Sequence, residues 1–410
     1  MFKAYEQRQG RLFPAFLDEG LAPSDPVFWI DEIVDDLDLS RLEARYAVRG
    51  EHAYSPRLLL KLWLYAASQG VVSGREIARR LRYDLRFRYL AGQGPWPDFR
   101  TINRFRERHA EDFAEVFRQT VRLARAAGLG GLGIVAVDGT KLRANTSRHK
   151  AMSYGRMRKE EKRLDREISQ LMNRMDQVNR SEDQRHGDDD DGSGGLPAEL
   201  QDKEARREKI RAVREQLEAE RGERLTERSQ KSFADPDAQM MVTGDGSLQY
   251  AYNAQAAVSE DGIIVATGLT PAVRDCDQLE PMVEAVEAVT GESPGQVLAD
   301  NGYLAETSLG RMRRRGQRCL VAVAREGKSP RRWPKGPETQ RMHRLLRLPW
   351  ARECYRRRKT QGERPFAEIK AVMGFRRFGL RRRWKVRGEW DLVCAAFNLR
   401  RTKALLEATA

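Results

Sequence analysis

Gly133-Ile-Val-Ala-Val-Asp-Gly-Thr-Lys141 is a short apolar run that closes on a single acid and a turn signal. Ile134, Val135 and Val137 predict a buried strand, with Asp138 at its end. Gln296-Val-Leu-Ala-Asp-Asn-Gly-Tyr303 repeats the form: an apolar strand closes on Asp300, and glycine follows within two residues. Asp-Gly and Asp-Asn-Gly are also common turn signals, so each acid taken alone is more readily a turn residue than a catalyst. A carboxylate at the carboxyl end of a buried strand, however, points into the crevice where open α/β sheets bind ligands. Two such acids in one sheet favour a site.

Between the two stretches lie about 80 residues of charged helix. Leu164, Ile168, Leu171, Met175 and Val178 follow a 4-3-4-3 seam, and Ile210, Val213 and Leu217 repeat it beyond Gly187-Asp-Asp-Asp-Asp-Gly-Ser-Gly-Gly195. Two helices around that solvated acidic tip predict an antiparallel coiled-coil hairpin. Strand character returns over 239–242, 249–258 and 262–268, with a turn at Gly244-Asp-Gly246. A helix over 277–289, the Asp300 strand, a helix over 304–314 and a strand over 318–324 complete a mixed α/β sheet covered by helices.

Residues 1–128 read as all helix. Ser24-Asp25-Pro26 caps one helix, and 55–65 is nearly continuous in apolar character up to Gln69-Gly70. Ser73-Gly-Arg-Glu76 predicts a capping box ahead of Ile77, Leu81 and Leu85, which alternate with arginines. Helix, short turn and basic helix suit a helix-turn-helix, and equally a helical bundle with solvated arginines. A further helix is expected from near Asp98 through Phe117 to Gly128. The expected domains are therefore a helical DNA-binding domain at 1–128 and a catalytic domain at 129–410. The hairpin at 150–232 interrupts the latter, a Pro-, Gly- and Arg-rich link runs from 325 to 350, and a basic helical segment occupies 350–410.

Charge sharpens this division. Residues 311–410 hold 30 Lys and Arg against 8 Asp and Glu, whereas residues 1–310 hold 45 against 52, so the whole surplus of the +15 chain lies in its last quarter. That is the footprint of a phosphate-binding surface. Cys276, Cys319, Cys354 and Cys394 are scattered without a Cys-x-x-Cys pair, and the five histidines form no cluster, which argues against zinc sites and disulfide frameworks. No apolar run reaches the roughly 18 residues of a membrane span. A soluble cytoplasmic protein is expected.

A third acid is available in Tyr355-Arg-Arg-Arg-Lys-Thr-Gln-Gly-Glu363-Arg-Pro-Phe-Ala-Glu368-Ile-Lys370. Pro365 belongs in a first helical turn, so Glu363 is expected at the helix start, where the macrodipole favours an anion. Lys370, nearly two turns on, then looks the same way. Three converging carboxylates repel unless cations intervene. Mg²⁺ suits such an all-oxygen set, and two ions about 4 Å apart can activate a water or 3′-hydroxyl and stabilise the leaving oxygen of a phosphodiester.

With these residues in place the chain resembles the DDE transposases of bacterial insertion sequences, which have a ribonuclease-H-like core. The resemblance runs through Tyr54-Ser-Pro-Arg-Leu-Leu-Leu-Lys61, Pro97-Asp-Phe-Arg-Thr-Ile-Asn-Arg-Phe-Arg106, Val137-Asp-Gly-Thr-Lys-Leu-Arg-Ala-Asn145, Tyr252-Asn-Ala-Gln255, Ala299-Asp-Asn-Gly-Tyr303, and Gly374-Phe-Arg-Arg-Phe378 through Lys385-Val-Arg-Gly-Glu389. It implies that Asp138, Asp300 and Glu363 are the catalytic acids and bind two Mg²⁺ ions, for which Mn²⁺ can substitute. It also implies that Tyr355, Arg358 and Lys370 match the Tyr-Arg-Glu-Lys signature, whose basic members contact the transposon end. Proline directly follows the glutamate in the family, whereas Arg364 intervenes here, which keeps Glu368 as a second candidate. The implied partners are double-stranded transposon ends and target DNA, handled by a homodimer at the nucleoid. A DNA-binding regulator with a silent core, or a ribonuclease-H-like nuclease, is the alternative.

Overall fold

The computed structural model describes residues 16–46, 53–147, 151–186, 198–324 and 336–409. The acidic tip at 187–195 lies outside them, as does most of the first half of the 325–350 link. Among the described residues seven helices precede the first strand: α1 (Pro26–Asp36), α2 (Ser40–Glu43), α3 (Pro56–Ser68), α4 (Gly74–Arg80), α5 (Leu85–Ala91), α6 (Phe99–Arg108) and α7 (Phe113–Ala126). The caps follow the chemistry expected of short polar side chains. Asp25 accepts from Val27 N at 3.1 Å and Asp98 from Thr101 N at 2.9 Å.

Two expected long helices are each broken into two. The Ser73 side chain makes no cap bond, and Glu76 turns to Arg79 and Arg80 instead of closing a capping box. α4 ends early, and Asp84 starts α5 by accepting from Arg86 N at 3.1 Å. The run from Asp98 to Gly128 likewise breaks at the fully buried His109. Its ring is bonded to Asp112 at 3.1 Å and to Tyr46 at 3.0 Å, which fixes a corner between α6 and α7. Apolar spacing continued across both corners because each pair of helices shares one core face.

The strands are β1 (Ile134–Arg143), β2 (Ala151–Ser153), β3 (Gln230–Ser232), β4 (Gln239–Val242), β5 (Leu248–Val258), β6 (Ile264–Thr270), β7 (Gln296–Ala299) and β8 (Cys319–Val321). The main sheet has the order β4-β5-β1-β7-β8, with β6 also paired to β5. β1, β7 and β8 are parallel, whereas β5 pairs antiparallel with β4 and with β6. This curled mixed sheet, flanked by helices, is the ribonuclease-H-like α/β arrangement expected. The helices interleaved with and following it are α8 (Tyr154–His186), α9 (Ala198–Arg221), α10 (Leu279–Thr290), α11 (Glu306–Arg314), α12 (Pro337–Leu345), α13 (Pro349–Arg358), α14 (Arg364–Ala371) and α15 (Arg383–Thr409). The second half of the expected link is thus helical, as α12, and Phe375 to Leu380 interrupts the helix expected over 365–406.

Chain contacts define two compact units, one of residues 1–142 with 253–410 and one of 143–252. In the first, α15 is buried nearly all round from Val386 to Leu399 and packs on α7, α3 and β6. In the second, α8 and α9 form the expected hairpin over a core of Met157, Leu164, Ile210, Val213 and Leu217. Ion pairs such as Arg211–Glu161 and Arg206–Glu160 line its flanks, where solvent around the arginines screens them. β2 and β3 pair antiparallel at the hairpin's base.

Candidate active site

Register brings the two aspartates together. Val137 of β1 pairs with Ala299 of the parallel strand β7, so Asp138 and Asp300 are the next residues on neighbouring strands. β1 does not stop at Asp138 but runs on to Arg143, past the end of β7, and Gly139 lies within the strand and not in a turn. Glycine is needed there for a different reason: a Cβ would stand 2.3 Å from Gln255 Nε2 on the adjoining β5. Asp300 starts a single turn after β7, accepting from Gly302 N at 2.8 Å, and Asp138 accepts from Gly139 N at 2.8 Å.

Glu363 is not at a free helix start. α13 passes through a π-helical turn, Lys359–Glu363, directly into α14, so the macrodipole expected at Glu363 is not present. Such turns insert an extra residue into a helix and recur at functional sites. This one is pinned to the sheet: Gln361 Nε2 donates to Ile134 O at 2.8 Å and to Val258 O at 2.9 Å. Gly362 packs on Asp138, where an added Cβ would lie 3.3 Å from the aspartate Cβ. The half-exposed Glu363 carboxylate accepts from Arg358 Nη2 at 3.3 Å. Tyr355 donates its hydroxyl to Ala299 O at 3.1 Å, and Lys370 Nζ donates to Thr140 Oγ1. Glu368 is turned elsewhere, to Arg400 Nε at 2.9 Å, beside Ser68 and Gln69.

Charge is concentrated at the strand ends. Burial, with repulsion from Asp300 and Glu363 added, pushes the Asp138 pKa up to about 6. Burial also raises Asp300, with Asp275 adding to the rise and Arg358 opposing it. For Arg358 burial disfavours the cation, but Tyr355 and the three acids outweigh it and raise its pKa. Burial lowers Lys370 despite its attraction to Asp138.

Family comparison adds the decisive observation. The model described as "Transposase DDE domain" matches residues 222–399, and that described as "Transposase domain (DUF772)" matches residues 16–108. The chain belongs to the DDE transposases. Neither curated proteins nor solved structures give a match. The transposase is accordingly a polynucleotidyl transferase and endonuclease, and its substrate is DNA. The DDE match contains Asp300 and Glu363 but begins after Asp138, which the α8–α9 hairpin separates in sequence from those two residues. No described helix of the transposase is long and apolar enough to cross a membrane.

DDE transposases use divalent metal ions. Among the described residues no three His, Cys, Asp or Glu side chains form a ready metal cage, and Glu363 is engaged by Arg358. The donor set nonetheless fits a hard cation. Asp138 and Asp300 are half-buried, raised in pKa and each bonded to one backbone amide, leaving oxygens and negative charge for Mg²⁺ and no soft ligand for zinc.

Sequence reasoning missed Asp275, which accepts from Lys141, Asn253 and Gln255 beside Asp300. Asn253 and Gln255 carried a signal, as two polar residues at a two-residue step in the buried strand β5. Asp275, in a loop between β6 and α10, carried none.

The Asp138 pKa has a consequence for stability. The folded transposase holds this proton more tightly than the unfolded chain, so ionisation of Asp138 opposes folding. The penalty is absent below about pH 4, grows between pH 4 and 6, and reaches at most about 3 kcal/mol above pH 6. In chelator, Asp138→Asn should therefore melt several degrees above the native protein at pH 7.5, with the gap closing by pH 4. Equal melting temperatures at pH 7.5 would contradict the assigned environment.

Proposed function

We propose that the transposase binds the terminal inverted repeats of an insertion sequence, hydrolyses the phosphodiester at each end, and joins the freed 3′-hydroxyl to target DNA. The observation that carries this reading is the placement of Asp138 and Asp300 side by side at the ends of parallel strands, with the Glu363 turn packed on Asp138. Asp138, Asp300 and Glu363 would hold two Mg²⁺ ions, with Mn²⁺ a substitute, and bound ions supply activation of the attacking oxygen and stabilisation of the leaving one. Arg358 keeps Glu363 oriented until it is drawn toward the aspartates, and Lys370 sets a cation on the Asp138 side of the site. Tyr355 fixes α13 to the last residue of β7.

DNA is held by the surplus positive charge. Exposed Arg376, Arg377, Arg381 and Arg382 follow Lys370 on the segment between α14 and α15, and Arg75, Arg79, Arg100 and Arg104 are exposed on the helices of residues 1–128. These give phosphate contacts that position an end before chemistry. Two ends must be joined in one event, so the acting species is a homodimer on DNA, at the nucleoid. The test is incubation with DNA ending in the inverted repeats that flank the gene. Cleavage confined to the repeat ends, requiring Mg²⁺ and abolished by chelator, is expected. Binding without any cleavage would instead identify a regulator with a silent core, and cleavage indifferent to repeats a general nuclease.

A further inference from the structure

Lys141 and Asp275 form an ion pair that the proposed reaction does not use. Lys141 Nζ lies 3.1 and 3.0 Å from the two Asp275 oxygens, and the side chains are only 18% and 19% exposed. Asp275 Oδ1 also accepts from Asn253 Nδ2 at 2.5 Å and from Gln255 Nε2 at 2.8 Å. Gln255 is itself fixed, accepting from the buried Tyr303 hydroxyl and donating to Asn253 Oδ1 at 2.9 Å. Three donors on one carboxylate leave it little freedom to swing.

This network stands against the reacting acids. A Cβ at Gly302 would lie 2.9 Å from Asp300 Oδ1 and 3.3 Å from Asp275 Oδ2, so both carboxylates border the space that a side chain at Gly302 would fill. Lys141 and Asp275 both act electrostatically on Asp300, in opposite senses. The Lys141 ammonium thus acts on two carboxylates and is paired with the one that does not close a parallel strand.

We propose that Asp275 is a positioning residue that holds Lys141 away from Asp300, so that the Asp138–Asp300 pair stays open to divalent cations. Released from Asp275, the ammonium would settle on Asp300 as an internal counter-ion and oppose a second positive charge there. The inference rests on the reading of Asp138 and Asp300 as cation-holding acids.

The test is calorimetric titration of Mn²⁺ into the full-length protein without DNA, with melting curves to verify folding. D275N should bind Mn²⁺ about tenfold more weakly, the lower end of the effect of losing an outer partner of a metal site. K141M/D275N should return the affinity to near the native value, because the competing cation is gone. Native affinity in D275N, or a double variant as weak as D275N, overturns the proposal. If D275N does not fold, K141M alone decides: binding at least as tight as native is expected, since an unpaired Asp275 adds negative charge beside Asp300, and weaker binding overturns it. D300N separates the two readings. Native Mn²⁺ affinity in D300N removes the cation site itself, whereas loss in D300N with native affinity in D275N removes only the positioning role.

Discussion

Asp138→Asn is expected to leave binding of terminal-repeat DNA within about twofold of native while reducing both nicking and strand joining by about 10³-fold or more, beyond the roughly 10- to 100-fold typical of losing an outer-shell partner. The substitution preserves shape: the side-chain oxygen can still accept from Gly139 N, and the turn at Gly362 still packs on an unchanged Cβ. What disappears is one negative charge in a site where burial makes charge costly and therefore strongly felt by a cation. The basic residues that would position DNA lie on other elements, so affinity and its salt dependence should persist. Gel-shift titration and a cleavage assay on the same end fragment measure the two quantities. Cleavage by Asp138→Asn at native rate would remove Asp138 from the chemistry, and loss of binding with cleavage would show that the residue acts through folding.

The physical contrast between Asp138 and Glu363 explains what could be read from the chain. Asp138 and Asp300 were legible because a strand is a local pattern: β-branched residues set its direction, and parallel pairing of Val137 with Ala299 then places whatever follows. The seam of α8 and α9 was legible for the same reason, since its apolar spacing is a property of each helix alone. Glu363 depends on a π-helical turn whose cause is non-local. Gln361 reaches carbonyls more than 100 residues away on β1 and β5, and nothing in Lys359-Thr-Gln-Gly-Glu363 announces that. The corners at Asp84 and His109 failed similarly, because apolar spacing records which side faces the core and not whether the axis bends. Gly139 was read as a turn residue but lies within β1, where a Cβ would meet Gln255, whereas Gly302 does lie in the expected turn after Asp300 and its missing Cβ also leaves room between Asp300 and Asp275.

Glu389→Ala should destabilise the fold by about 3–5 kcal/mol, because it leaves a buried guanidinium without its counter-charge. Arg106 Nη1 lies 2.7 Å from Glu389 Oε1, with side-chain exposures of 9% and 2%, and the guanidinium stacks over Trp63 at 4.4 Å. The pair ties α6 to α15. It differs from an isolated buried ion pair in one respect: Glu389 also accepts from Gly379 N and Leu380 N, at 2.9 to 3.0 Å, and so shapes the segment that carries the exposed arginines after Lys370. Replacing both charged partners with apolar residues often restores stability when a pair stands alone. Here the Leu380 amide would stay buried without an acceptor, at about 1–3 kcal/mol, and the Gly379 amide would lose its bonds to the carboxylate. Arg106→Met with Glu389→Met should therefore recover only part of the loss, and Glu389→Gln, which keeps one acceptor oxygen, should fall between native and Glu389→Ala. Denaturant midpoints for the four proteins give the order native, Glu389→Gln, then the double variant, then Glu389→Ala. A double variant as stable as native would show that the carboxylate's bonds to Gly379 and Leu380 contribute nothing, and that the basic segment is held by other contacts.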